Sequence, residues 1–257
     1  MLCQDIINIL EKQSPTEYAM SWDNVGLLVG RRDKEIHRIM LAVDATLEVC
    51  EKAVSEDVDM IITHHPMIFS GVKRINTDTA LGKKIMLLAE KDIVCYAMHT
   101  NFDTIGGMAK LAADMLGLKD VEVLEETLEG EGIGQIGKKD IPVSIVELSE
   151  IIKDKFGLKN VIVYGDISKN VERIAICPGS GKSVIDISIK KKAECLITGD
   201  IGHHDGIDAV DDGLIIIDAS HYGIEKIFMN YMKEYLTKLC AGVDILTADV
   251  GVPFTLL

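Results

Sequence analysis

Six of the seven histidines in this chain fall at or just beyond the ends of short apolar runs: His64, His65, His99, His203, His204 and His221. In open α/β sheets the C-terminal ends of strands are where ligands bind, because the following loops converge there. In "MIITHHP" (60–66) a histidine pair precedes Pro66. Neighbouring side chains on a regular strand take opposite faces, but where proline interrupts the ladder two imidazoles can diverge toward two different ions. "HTNFD" (99–103) and "HYGIE" (221–225) share a second pattern, a histidine and then a carboxylate four positions on: His99 with Asp103, His221 with Glu225. On a helix such pairs share one face, with Cβ atoms about 5–6 Å apart. Imidazole with carboxylate suits Mn, Fe, Co, Ni or Zn, and a carboxylate can bridge two ions where a single ring nitrogen cannot. Singly, these residues also fit plain structural roles, a buried hydrogen-bonded histidine pair and ion pairs on helix surfaces. Their shared position at strand ends favours a metal centre. His37, alone among charged residues, reads as solvated surface.

The elements that must position these groups follow an α/β pattern, with short Ile- and Val-rich runs alternating with helix-period segments. The sequence predicts a helix over 2–12, a strand over 38–44, and Thr46 as the N-cap of a helix in "LEVCEKAVSED". Strands over 60–65 and 92–100 and helices over 79–91 and 108–118 follow. A second series then begins: a helix over 142–158, strands at 160–166, 173–181 and 194–200, and a helix in "KSVIDISIKKKA". Arg38 lies 25 residues before Thr63, and Arg173 lies 25 before Thr198, so that His64-His65 answers to Gly199-Asp200. "VCYAMHTNFD" (94–103) likewise matches "IIDASHYGIE" (216–225), pairing His99 with His221. Both coincidences predict an internal duplication. Its boundary is expected in the Gly-rich, charged stretch 125–140, a composition typical of linkers or edge hairpins. That divides the chain into domains 1–127 and 128–257, with a C-terminal segment packing back on the first.

Composition narrows the function further. The 257 residues carry 27 basic and 41 acidic side chains, a net charge of −14, and no basic stripe. Binding to duplex nucleic acid needs clustered Lys and Arg to release counterions, so it is not expected. The six cysteines are scattered, with no C-x-x-C pair, and most sit inside apolar runs where a thiol behaves as a small hydrophobe. No apolar run reaches the roughly 20 residues that span a bilayer, and the N-terminus lacks a basic segment followed by an apolar one. A cytoplasmic protein without membrane partners is expected.

Seven motifs together resemble a known family over essentially the whole chain: "WDNVGLLVG" (22–30), "VDAT" (43–46), "ITHHP" (62–66), "HTNFD" (99–103), "CPGSG" (177–181), "ITGD" with "HH" (197–204) and "DASHYGIE" (218–225). The family is that of the Nif-three-like dinuclear-metal hexamers, also called type 2 GTP cyclohydrolase I homologues. The resemblance implies two similar α/β domains of the three-layer αβα type that face each other, with the metal site between them. It implies six chains in a toroid and two divalent ions per chain (Zn, Fe, Mn, Co or Ni). The implied ligands are His64, His65, Asp103, His221 and Glu225, with Glu225 bridging and His99 beside the centre, where it can act as general acid or base. The chain is a short form, without room for the domain that some relatives insert between their halves. The implied function is a metal-dependent hydrolase acting on a nucleotide or phosphorylated small molecule. The alternative is a metal-binding or regulatory toroid without enzymatic activity.

Other signals point to less. "PGSGKS" lacks the glycine a phosphate-binding P-loop needs five positions before Gly181, where Ile176 stands. A strand-to-helix turn explains its glycines, although Lys182 and nearby amides could still take a phosphate. "GDIGHHD" (199–205) combines Asp200, His203, His204 and Asp205. A second metal site there is conceivable on residue types, but substrate contact by His203 and His204, or support for the metal ligands, suits the resemblance. Trp22 reads as packing a loop against the core while Asp23 and Asn24 build a turn; the other reading is a loop lining the metal cavity. Thr100, Asn101 and Thr104 read as supports for the ligands rather than nucleophiles.

Overall fold

The chain begins with helix α1 (Cys3–Gln13), whose apolar stripe Cys3, Ile6, Ile7 and Leu10 is fully buried. Strands β1 (Gly26–Val29) and β2 (Arg38–Ala42), helix α2 (Leu47–Ser55), strand β3 (Met60–Thr63), helix α3 (Ala80–Glu90), strand β4 (Val94–Ala97) and the single turn α4 (Thr100–Thr104) follow. Next come α5 (Met108–Met115), the long hairpin β5 (Lys119–Leu128) and β6 (Glu131–Ser144), α6 (Ile145–Phe156), β7 (Ile162–Tyr164) and β8 (Asn170–Ser180). After these come α7 (Ile185–Lys190), β9 (Cys195–Gly199), α8 (His203–Asp211), β10 (Ile215–Asp218), the turn α9 (His221–Glu225), α10 (Ile227–Leu239) and β11 (Asp244–Thr247). The computed structural model describes residues 1–105 and 107–255.

Two compact units result, one of residues 1–105 with 228–253, the other of 107–227 with 254–255. This division differs from the expected boundary in 125–140. That stretch is the β5–β6 hairpin inside the second unit, where Glu126 pairs with Gly132 and Gln135 with Ile176 of β8. Its glycines serve close approach rather than a linker, since a Cβ on Gly132 would lie 2.0 Å from Glu125 O. Strand β11, from the C-terminal part of the chain, belongs to the first unit and pairs in parallel with β2.

The first unit is a five-stranded sheet in the order β1-β4-β3-β2-β11, parallel except for β1. One sheet face, with Met40, Ile61 and Cys95, packs on Val49, Cys50 and Ala53 of α2 and Leu88 of α3. The other carries Tyr96, whose hydroxyl donates to Glu11 of α1 (3.3 Å), while Tyr235 of α10 donates to Ile9 O (3.3 Å). Helices thus cover both faces, and strands buried on both sides read as unbroken apolar runs. Thr46 caps α2 as expected, its Oγ1 accepting from Val49 N (3.1 Å).

The second unit is a six-stranded sheet ordered β5-β6-β8-β9-β10-β7. Its strands β8, β9 and β10 are parallel, and β7 runs antiparallel at the edge. The order β1-β4-β3-β2 therefore recurs as β7-β10-β9-β8, with the antiparallel edge in the same place, as a duplication requires. The β5–β6 hairpin is the second unit's own addition. All six cysteines are buried, and desolvation pushes the Cys50 thiol up to about 11, so nothing favours thiolate chemistry.

Candidate metal centre

In the first unit the ladder continues past β3: His64 N donates to Ala42 O (3.3 Å) and His65 N to Val43 O (2.9 Å). Thr63 Oγ1 donates to His65 O (2.7 Å), bending the backbone before Pro66. The two imidazoles, instead of taking opposite faces, lie with ring centroids 5.0 Å apart. His99, at the end of β4, joins them, at 5.2 Å from His64 and 5.4 Å from His65. One ligating atom from each of the three lies within 4.8 Å of the others. Asp103, one turn along α4 from His99, places Oδ1 3.7 Å from His64 Nε2.

What orients these rings is a set of acceptors from neighbouring strand ends. His65 Nδ1 donates to Asp44 Oδ1 (2.8 Å), His99 Nδ1 to Asp23 Oδ1 (2.9 Å), and the fully buried His64 uses Nδ1 against Met98 O (3.0 Å). Each bond holds the proton on Nδ1 and the ring's lone pair on Nε2, the arrangement found at metal-ligating histidines. Strand order explains the pairs. Asp44 follows β2 and His65 follows its parallel neighbour β3, so both emerge together. Because β1 runs antiparallel to β4, with Gly26 opposite Ala97, the segment entering β1 lies where β4 ends and brings Asp23 to His99.

Asp23 is the most constrained of these carboxylates. Its side chain is fully buried, and its Oδ2 also accepts from Thr100 N (3.1 Å) and Thr100 Oγ1 (2.5 Å). Burial acts to raise its pKa, but the bonds from His99 and Thr100 outweigh it and hold the carboxyl at about 2. Trp22, next to it, is 57% exposed rather than packed into the core. Asn101 acts as a support, its Nδ2 donating to Ser14 O (2.8 Å). A cavity of about 540 Å³ opens beside His65, lined by Asp44, Thr46, Glu48 and Lys84 among others. Lys84 Nζ donates to Ala45 O at its wall (2.8 Å).

In the second unit His221 opens α9, and its Nδ1 donates to Asp200 Oδ2 (2.7 Å), again a carboxylate from the neighbouring strand end. His221 Nε2 lies 3.2 Å from Oε2 of Glu225, whose side chain is 4% exposed. The glycines of "CPGSG" and "ITGD" form the floor: a Cβ at Gly179 would lie 2.6 Å from Glu225 Oε1, and one at Gly199 2.4 Å from His221 N. Asp200 (φ 56°) and Ser220 (φ 65°) both hold left-handed backbone, strain that concentrates at functional sites. The ladder corrects one expectation. Met98 N donates to Thr63 O and Ala219 N to Thr198 O, so His99 corresponds to Ser220, and His221 corresponds to Thr100.

His203 and His204 are exposed at the start of α8, and Lys182 pairs with Asp205 (2.9 Å). "GDIGHHD" therefore divides its acids between His221 and Lys182 instead of gathering them. His37 is solvated, its side chain 74% exposed. The pairings of Asp23 and Asp44 with histidines were missed although both sit inside the motifs "WDNVGLLVG" and "VDAT"; Asp200, inside "GDIGHHD", does support a candidate ligand, His221.

Fold and residues together define a class: α/β proteins whose strand ends carry oriented imidazoles and carboxylates able to take a metal ion. Residues 1–251 match the DUF34/NIF3 (NGG1p interacting factor 3) family, and the chain belongs to it. It is 37% identical to a GTP cyclohydrolase 1 type 2 homolog of Clostridium perfringens, over 99% of each chain. Reduced HcgD from Methanocaldococcus jannaschii is similar in structure, with a TM-score of 0.86 and 32% identity over 97% of this chain and 98% of that one. A Bacillus cereus protein related to NIF3 shares the fold at a TM-score of 0.91 and 24% identity, over 100% of this chain and 99% of that one. Among the described residues no helix is long and apolar enough to cross a membrane.

Proposed function

We propose that this chain is a dinuclear metal-dependent hydrolase acting on a nucleotide or another phosphorylated small molecule. The observation that carries this reading is the common state of four imidazoles: His64, His65, His99 and His221 are each held through Nδ1. Such fixing presents Nε2 as the ligating or proton-accepting atom. His64, His65 and Asp103 of the first unit, with His221 and Glu225 of the second, would hold two divalent ions of the Mn, Fe, Co, Ni or Zn kind. Glu225 would be the carboxylate the two ions share, as the motif resemblance implies. When bound, such a pair supplies a water of lowered pKa and stabilises negative charge at the attacked centre.

The chain's other residues then have definite tasks. His99 accepts a proton at Nε2, and the ionised Asp23 behind it stabilises the imidazolium that results. Lys84, at the cavity beside His65, supplies positive charge for a phosphate group. The names of the relatives support a nucleotide. The six-chain ring that the motif resemblance implies belongs to the same proposal, and light scattering near the monomer mass of 28.2 kDa would be contrary evidence.

The test supplies Mn, Fe, Co, Ni and Zn separately and screens nucleotides and phosphoesters for turnover. Hydrolysis that disappears on chelation and returns with metal is expected. His99→Ala should keep its metal and lose rate by roughly 10²–10⁴-fold. Absence of turnover with every loaded metal would leave a metal-binding protein without enzymatic activity.

A further inference from the structure

The chain has one tryptophan and few aromatic residues, 5% in all, yet it leaves Trp22 57% and Phe69 54% exposed side by side. Their ring centroids are 5.9 Å apart at 44°, and the Trp22 indole stands edge-on to His99 at 6.0 Å and 74°. Single exposed apolar residues are ordinary; two aromatic rings kept open against a functional imidazole are a placed feature. The backbone on both sides of Trp22 is pinned. Asp23 N donates to Met20 O (2.9 Å), closing a turn with Trp22 at its corner, and Met20 N donates to Thr100 Oγ1 (2.9 Å). Beyond the turn, Asn24 Nδ2 donates to Ile68 O (2.6 Å), tying this loop to the one that carries Phe69. The indole is thus positioned by its neighbours' hydrogen bonds and by the rings of Phe69 and His99, and more than half of it is left exposed.

We infer that Trp22 and Phe69 form a stacking platform for a planar aromatic ring of the substrate, delivering that ring to His99. This deepens the hydrolase reading and rests on its placement of His99 at the reacting centre. It narrows the substrate to the ring-bearing class, nucleotides and heterocyclic phosphates, and removes sugar phosphates and simple phosphoesters. Stacking of a base on an aromatic side chain contributes about 1–3 kcal/mol and tolerates differences between rings, because every base has a π-face.

Because Trp22 is the only tryptophan, its fluorescence reports the platform directly. The full-length protein, with metal content measured, is titrated with guanosine monophosphate and separately with ribose 5-phosphate. The nucleotide should quench Trp22 saturably and the sugar phosphate should leave it unchanged. Phe69→Ala, an exposed-loop change costing within about 0.5 kcal/mol of stability, should weaken nucleotide binding roughly 5- to 100-fold, about 1–3 kcal/mol at 1.4 kcal/mol per decade. No saturable quenching, equal quenching by ribose 5-phosphate, or an unchanged affinity in Phe69→Ala overturns the inference. The rival occupant is a second copy of this chain. Ile75, in the same loop and 55% exposed, would then share the contact, and a change of oligomeric state in both Ile75→Ser and Phe69→Ala would also overturn it. Quenching is read without turnover, so the two readings fail separately. Hydrolysis of a ring-free phosphoester without quenching removes the platform alone; quenching by protein that hydrolyses nothing removes the hydrolase alone.

Discussion

The two units share a strand order but distribute ligand and orienting acid differently over it. In the first, the position after the middle strand carries an imidazole, His65, and the acid comes from the strand beside it as Asp44 (2.8 Å). In the second, the matching position carries the acid, Asp200, and the imidazole is His221 on the next strand (2.7 Å). One imidazole and one carboxylate still meet on neighbouring strand ends, but the partner of the middle strand comes from opposite sides: Asp44 from β2 in the first unit, His221 from β10, the counterpart of β4, in the second. The first unit also adds a third ring, His99, on Asp23. What a duplicated sheet conserves here is the pairing of adjacent strand ends rather than the identity of the residue at each one.

That difference can be broken or sharpened by substitution, beginning with the largest effect. Asp23→Asn removes the negative charge behind His99 and should lower turnover by roughly 10²–10⁴-fold while metal content stays at the wild-type level. Loss of metal in that variant would move His99 among the ligands. Asp44→Asn and Asp200→Asn should instead weaken metal affinity about 10–100-fold each, read by competition with a chelator. Equal effects from all three acids would erase the distinction between the His99 pair and the ligand pairs.

The glycine floor of the second unit comes next. Gly199→Ala places a Cβ 2.4 Å from the backbone N of His221, and no flexible side chain can yield there. Denaturant unfolding should show a loss of about 1–3 kcal/mol. Gly71→Ala, where nothing lies within 4 Å, should stay within about 0.5 kcal/mol. The smallest effect is on acid stability. Asp23 is depressed from 3.8 to about 2 by folding, so it contributes stability above the unfolded value, and that contribution is lost as pH falls from about 4 to 2. Up to about 2 kcal/mol is at stake. Asp23→Asn should flatten that part of the curve, and an unchanged acid limb would contradict the carboxylate's assigned state.

The strands, the Thr46 cap and the histidine–carboxylate patterns were legible because apolar runs and local spacing carry them. The 25-residue spacing pointed to the repeated strand pairs, and the fold has them in register. The motif alignment nevertheless misplaced His99 against His221 by one residue, because sequence matching aligns residue types whereas the ladder aligns hydrogen bonds. Asp23, Asp44 and Asp200 could not be given partners from the chain alone. Asp23 reaches His99 only because β1 runs antiparallel at the sheet edge, a long-range fact that no local pattern carries. The 125–140 stretch had the composition of either a linker or a hairpin, and only pairing with β8 decides between them.

The most direct test of the proposed two-ion centre is the metal content of Glu225→Ala beside the wild type, by elemental analysis of purified protein. A bridging Glu225 predicts about two ions per chain in the wild type and well under two in the variant, with both ions weakened together. His64→Ala and His65→Ala should each weaken mainly one. About two ions per chain retained in Glu225→Ala would contradict the bridge and leave Glu225 as no more than the buried partner of His221.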